Sequence, residues 1–253
     1  MNDQAKPSLI SYPNTRRTIE AVADRLLVQL INSSRSDGYL HVCATGGRLG
    51  TGLWPVLAAH PLALGVPWKR VHVWFSDERF VPPSDPERND LPLVNEADKI
   101  GLPLDHIHRI PGPDKAEDVE SAAQAYADEL DRWDLIPNYN ASNPSFVVSL
   151  LGIGEDGHVA SLFPRRAQVW ESLRPTVAVT GAPKPPPERV SLTRPMLAHC
   201  QQLWFMAAGE EKAPAVNAVF RGDHALGAPA AGLRGREQTI WIVDQALAAR
   251  LLV

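Results

Sequence analysis

Only two cysteines, Cys43 and Cys200, occur in the 253 residues. Neither stands at a metal-ligand spacing, and two thiols make no disulfide framework, so a zinc module and a disulfide scaffold are both excluded. They read as buried free thiols. No apolar run approaches the roughly 20 residues that a membrane-spanning helix needs. The opening segment, Met1-Asn-Asp-Gln-Ala-Lys-Pro7, lacks the apolar stretch of a signal peptide. The expected location is the cytoplasm, with no membrane partner. A basic excess is missing too: the formal charge is −4 and the pI about 6.1. That balance argues against a nucleic-acid partner, although a local pocket can still be positive. There is no Gly-x-Ser-x-Gly elbow, so a serine hydrolase would have no visible nucleophile. Neither a Walker loop nor a dinucleotide fingerprint is present, and no segment repeats.

What is there suits a soluble globular chain. Hydrophobic residues make up 44% and charged residues 21%, enough to bury a core without staples. One domain over residues 1–253 is expected, with residues 1–7 as a flexible tail. Asn14 is placed to cap a helix reaching Ser33, because Ile19, Val22, Ala23, Leu26, Leu27, Leu30 and Ile31 keep helical spacing. Residues 39–45 and 71–76 read as strands. A helix between them should carry Pro55 only in its first turn. Residues 85–88 read as a loop and residues 116–133 as an amphipathic helix. The apolar run 146–151 has the composition of a buried parallel strand. Residues 176–180, 203–208 and 239–243 are further strands, with helices after the last two. The proline-rich stretch 181–187 and the stretch 222–235 read as loops. Strand and helix alternate, so the expected fold is α/β: a mostly parallel sheet flanked by helices on both faces, Rossmann-like.

Three loops that begin where strands end are chemically unusual, and in open parallel sheets that edge binds ligands. Thr45-Gly46-Gly47-Arg48 can bring backbone close to a ligand. With a helix behind it, free N–H groups favour an anion such as phosphate; a plain tight turn is the alternative. Asp77-Glu-Arg79 puts three charges after an apolar strand. They are either solvated surface or an arginine fork for phosphate or carboxylate. Gly152-Ile-Gly-Glu-Asp-Gly-His158 is followed by Val-Ala-Ser-Leu-Phe-Pro164. A histidine there can act as base and then acid, with Asp156 orienting its ring. The competing reading is a histidine that caps a following helix. Arg189 opens Arg-Val-Ser-Leu-Thr193, and Lys212 closes Gly209-Glu-Glu-Lys212. His41, His72, His106 and His108 have no clustered acids or glycines in sequence and read as structural or surface residues. No His/Cys/Asp pattern matches a metal site.

Taken in this order, the segments resemble the 6-phosphogluconolactonase family, which is related to the glucosamine-6-phosphate deaminases. The resemblance runs from about Tyr39 to Asp244. Its most specific piece is Gly152-x-Gly-x-Asp-Gly-His-x-Ala-Ser-Leu-Phe-Pro164, supported by Asp77-Glu-Arg-Phe-Val-Pro82, Asn89, Arg189-Val-Ser-Leu-Thr193 and Gly209-x-x-Lys212. The deaminases follow Asp-Gly-His with Ile-Ala-Phe-Asn-Glu-Pro and carry Asp-Glu-Tyr in place of Asp77-Glu78-Arg79, so both differences favour the lactonase side. Two positions depart from the family. Its Ser-Gly-Gly-Ser-Thr-Pro loop is Thr45-Gly-Gly-Arg-Leu-Gly50 here, and Arg88 replaces the serine of its Ser-Asn pair.

The resemblance implies hydrolysis of 6-phospho-D-glucono-1,5-lactone, a phosphorylated sugar lactone, without metal or organic cofactor. His158 would be the base and Asp156 its orienting partner. Thr45, Gly46, Gly47, Arg48, Asp77, Arg79, Asn89, Gly157, Arg189 and Lys212 would hold the substrate, Gly46, Gly47, Arg79, Arg189 and Lys212 its phosphate. The rivals are glucosamine-6-phosphate deamination and non-catalytic sugar-phosphate sensing. The sequence leaves the oligomeric state open; a monomer suffices.

Overall fold

The computed structural model describes residues 6–137, 144–222 and 227–252. Residues 1–5 of the expected tail, and residues 223–226 of the expected 222–235 loop, lie outside the described residues. In chain order the elements are β1 (Ser8–Tyr12), α1 (Thr15–Ser33), β2 (Leu40–Ala44), α2 (Gly47–Ala58), β3 (Val71–Phe75), β4 (Asp77–Arg79), α3 (Leu91–Ile100), β5 (Ile107–His108) and α4 (Val119–Arg132). They continue with β6 (Phe146–Gly152), β7 (Thr176–Val179), β8 (Arg189–Leu192), α5 (Arg194–Ala198), β9 (Cys200–Ala207), α6 (Ala213–Phe220), β10 (Gln238–Asp244) and α7 (Gln245–Ala248).

Seven strands form one sheet in the order β1-β10-β9-β6-β2-β3-β5. Every pairing in it is parallel. Right-handed crossovers then decide where the helices go. From β1 to β5 the chain steps one way along the sheet and lays α1, α2 and α3 on one face, where α2 packs against both α1 and α3. From β6 to β10 it steps the other way, which puts α4 and α6 on the opposite face. The direction reverses between β2 and β6, so a crevice opens at their C-terminal ends.

Local chemistry explains the main elements. The Asn14 side chain accepts the Arg17 N–H at 3.0 Å and starts α1. That helix buries Val22, Ala23, Leu26, Leu27 and Leu30, large aliphatic side chains among them contributing about 1.5–3 kcal/mol each. Asp118 and Ser121 close a reciprocal cap at the start of α4, three residues later than the apolar pattern suggested. Trp241 stacks on Phe205 with ring centroids 4.2 Å apart, joining β10 to β9 in the core.

Two expectations need correction, on Pro55 and on the strands beside the main sheet, and two features were not foreseen. β1 pairs along its length with β10, although the sequence assigned its residues to no element; an edge strand this short acquires its identity from its neighbour. Pro55 sits well inside α2. Its ring is exposed, so the carbonyl it leaves unbonded can face water, while buried Leu53, Trp54 and Leu57 tether the helix. Asp77–Arg79 is a strand, and β7 does not join the parallel sheet. Together β4, β8 and β7 make a small antiparallel sheet, because the 180–188 connection is too short for a crossover and folds back as a hairpin. Finally, His41, His72, His106 and His108, read from the sequence as structural or surface residues, meet in space. His41, His72 and His108 pack against Trp133 and His106 stacks on His72, with His72 Nδ1 2.9 Å from His108 Nε2 and His108 Nδ1 2.5 Å from Glu129. The parallel register places His41 beside His72 and Trp74 beside His108, which no local sequence pattern reveals.

Candidate active site

The crevice at the reversal point is a cavity of about 290 Å³, near the lower end of small-molecule sites. Thr45, Gly46, Gly47, Arg48, Asp77, Arg79, Asn89, His158, Arg189 and Lys212 all line it. Asp156 stands behind His158. Gly157 does not line the cavity; its φ of +87° makes the turn, and it faces Ala215 and Ala228.

The His158 loop leaves β6 at Gly152. Gly154 and His158 close it through the Gly154 N–H, which donates to the His158 carbonyl at 2.9 Å. His158 Nδ1 lies 2.5 Å from Asp156 Oδ1, and the His158 N–H donates to the same oxygen at 3.2 Å. With Nδ1–H given to the carboxylate, Nε2 is the ring atom left for a ligand. Burial alone would raise the Asp156 carboxyl, but its hydrogen bonds with His158 hold it below the usual range. The pair needs Gly154: a Cβ there would fall 2.1 Å from His158 Nδ1 and 2.6 Å from Asp156 Oδ1. No helix follows for His158 to cap. The chain instead forms a tight Val159–Leu162 turn, closed by the Leu162 N–H donating to the Val159 carbonyl at 2.9 Å.

The residues after His158 also have work to do. Ser161 Oγ donates to Asp77 Oδ2 at 2.7 Å. The Phe163 ring lies 4.8 Å from the His158 ring, and the Arg189 guanidinium stands over the same Phe163 ring at 5.8 Å. The segment after His158 thus joins His158, Asp77 and Arg189 in space.

The glycine loop enters α2 directly. Gly46 is its cap residue, and among the described residues no side chain caps the first-turn N–H groups. They and the helix dipole are available to an anion. Gly46 is pressed against Asn89: an added Cβ would fall 1.9 Å from Asn89 Oδ1. Asn89 in turn donates through Nδ2 to the Asp77 carbonyl at 2.9 Å and accepts from Arg79 Nη1 at 2.7 Å. Arg48 is exposed on the first turn of α2.

The charged run 77–79 is not solvated surface, since Asp77 and Glu78 are both buried. Strand alternation turns Asp77 and Arg79 to the cavity and Glu78 away from it. The Glu78 carboxylate accepts the N–H groups of Arg79, Asn89 and Asp90 at 2.9, 2.8 and 3.1 Å. Burial raises its pKa to about 7, against the pull of Arg88. Arg88, the departure from the family pattern, points away from the cavity. It pairs with Asp90, lies 3.5 Å from Glu78 and donates to the Ile110 carbonyl at 2.8 Å. Lys212 Nζ donates to the Ile153 carbonyl at 2.6 Å, and burial pushes its pKa down. One cation, Lys184, lines the cavity without having been anticipated. Its only signal in the sequence is a lysine inside a run of prolines between two strands. Among the described residues no group of three His, Cys, Asp or Glu side chains could hold a metal ion.

An imidazole–carboxylate pair at the rim of a cation-lined crevice, on a doubly wound parallel sheet, is the architecture of an α/β enzyme whose site suits an anionic group. The chain belongs to the family described as glucosamine-6-phosphate isomerases/6-phosphogluconolactonase, whose profile matches residues 13–241. Among its relatives, a 6-phosphogluconolactonase of Streptomyces coelicolor is 43% identical over 249 residues, covering 97% of this chain and 95% of that one. A 6-phosphogluconolactonase of Mycobacterium tuberculosis is 36% identical, covering 96% and 98%. The solved structure of a 6-phosphogluconolactonase from Trypanosoma cruzi superposes with a TM-score of 0.84 at 23% identity, covering 99% of this chain and 98% of that one; it has the same fold.

Proposed function

We propose that the chain hydrolyses 6-phospho-D-glucono-1,5-lactone to 6-phosphogluconate, the second step of the oxidative pentose phosphate pathway, acting as one folded unit in the cytoplasm. The observation that carries this reading is the His158–Asp156 pair facing a cavity that also holds the open N-terminus of α2, Arg79, Arg189 and Lys212. The two named relatives and the Ser-Leu-Phe-Pro tail favour the lactonase over the deaminase reaction. Among the described residues no helix is long and apolar enough to cross a membrane. Both cysteines are free and buried, as suits a reducing compartment.

In this mechanism His158 Nε2 takes a proton from water as the oxygen attacks the lactone carbonyl. Asp156 keeps the Nδ1 proton in place and stabilises the imidazolium that forms. The developing oxyanion needs donors, and backbone N–H groups of the glycine loops not engaged by the phosphate are the candidates. Collapse of the tetrahedral intermediate expels the ring oxygen, which takes the proton back from His158. The phosphate is held by the first turn of α2 with Arg79, Arg189 and Lys212, several cations suiting a dianion better than one. An activated ester requires a base and positioning and no metal or organic cofactor.

General-base assistance contributes about 10²–10⁴-fold. His158→Ala should therefore lower kcat by about that factor with little change in KM. The assay follows early lactone loss against an enzyme-free control. A near-wild-type rate would remove His158 from the mechanism.

A further inference from the structure

The strap joining β7 to β8 has Pro183, Pro185, Pro186 and Pro187 around Lys184. It is closed on itself by the Ala182 N–H, which donates to the Pro187 carbonyl at 2.9 Å. From inside, the Arg189 fork clamps it: Nε donates to the Pro186 carbonyl at 3.1 Å, and Nη2 to those of Lys184 at 2.8 Å and Pro185 at 3.4 Å. The clamp engages only backbone, so the Lys184 side chain has no structural part in it. That side chain is exposed, lines the cavity beside His158 and Lys212, and has no carboxylate partner among the described residues. Its charge is felt at Lys212. A rigid strap that brings one free ammonium to a cation-lined cavity is suited to a strongly anionic group, since prolines reduce the freedom lost on binding.

We propose that Lys184 is a further ligand of the substrate's phosphate, and that Arg189, besides facing the cavity, is the positioning residue that holds the strap carrying it. This rests on the lactonase reading above. Arg189 Nη1 makes no hydrogen bond among the described residues, which leaves that corner of the fork for a ligand while the rest sets the strap.

The test compares wild type, Lys184→Gln, Arg189→Lys and the double variant on two substrates, 6-phosphogluconolactone and unphosphorylated glucono-1,5-lactone. Lys184→Gln should raise KM for the phosphorylated lactone about 10-fold or more, the scale of a lost charged hydrogen bond. Its kcat, and its kcat/KM on the unphosphorylated lactone, should stay within about twofold. Unchanged KM would overturn the role of Lys184. Arg189→Lys keeps the charge and loses the fork. If Arg189 acts through the strap, the double variant's KM falls well short of the product of the two single effects. A full product would overturn the positioning role. Inorganic phosphate, titrated calorimetrically into wild type and Lys184→Gln, gives an arm independent of turnover. Weaker phosphate binding by the variant alongside a wild type inactive on lactone would sink the reaction and keep the site; equal binding would sink the site.

Discussion

Gly154 shows how tightly the His158–Asp156 pair is built. Nothing about its own backbone demands glycine through a left-handed φ; the demand comes from the imidazole and carboxylate packed over it. A methyl group 2.1 Å from His158 Nδ1 leaves no room for the ring where it now sits. Gly154→Ala should therefore swing the imidazole off Asp156 and lower kcat by an amount approaching that of His158→Ala, while circular dichroism and melting show a folded protein. Wild-type kcat in that variant would mean that the loop yields and the close approach is unimportant. Arg88 makes the opposite point. It stands where the family carries a small hydroxyl residue, yet its side chain turns into a buried ion cluster with Glu78, Asp90 and Arg109. Such clusters hold only while every member is paired.

Among the elements, β4 and the end of β3 govern the site. One residue of β4, Glu78, anchors the loop that carries Asn89, and the residues on either side of it face the cavity. The approach to this strand is fixed from α4: Tyr126 Oη accepts the Phe75 N–H at 2.9 Å and donates to the Phe75 carbonyl at 3.2 Å. Both groups are buried, so Tyr126→Phe strands a donor and an acceptor without changing shape. A destabilisation of about 1–3 kcal/mol is expected, read as a lower urea midpoint with an unchanged slope. An unaltered midpoint would show that water replaces the hydroxyl. The strap between β7 and β8 was visible as a proline-rich loop, but not its proximity to His158. Hairpin pairing of β8 with β4 brings it there.

At the scale of the whole molecule, the reversal of strand order decides where the crevice lies, and the opposite end of the same sheet holds the histidine cluster. Burial, helped by the neighbouring histidines, pushes His41 down to about 4 and His72 to about 3; burial and Arg236 push His199 down to about 4. Above pH ~6.5 these rings are neutral whether the chain is folded or not, so they cost nothing. As pH falls from there towards 4 and then 3, the unfolded chain binds protons that the folded chain refuses, and stability declines. Calorimetry should show Tm dropping between pH 6.5 and 4. In His41→Gln the amide can still accept the Trp74 indole N–H, which now lies 3.0 Å from His41 Nδ1, and the decline should be shallower. Identical slopes would remove His41 as a source. Glu129, facing His108, is the one carboxylate paired directly with this cluster among the described residues.

The sequence by itself determined the alternating strand–helix order, the cap at Asn14 and the helical stripe behind it, the two glycine loops that line the cavity, and the pairing of His158 with Asp156 two residues away. These are local properties, set by periodicity, turn chemistry and short spacing. Only the tertiary structure decided that β1 is a strand, that Glu78 and Arg88 turn inward, that four histidines meet, and that Lys184 reaches the cavity. Each of those depends on parallel register or hairpin pairing between segments far apart in the chain. Which face a side chain takes, and what waits on that face, is fixed only when the strands pack.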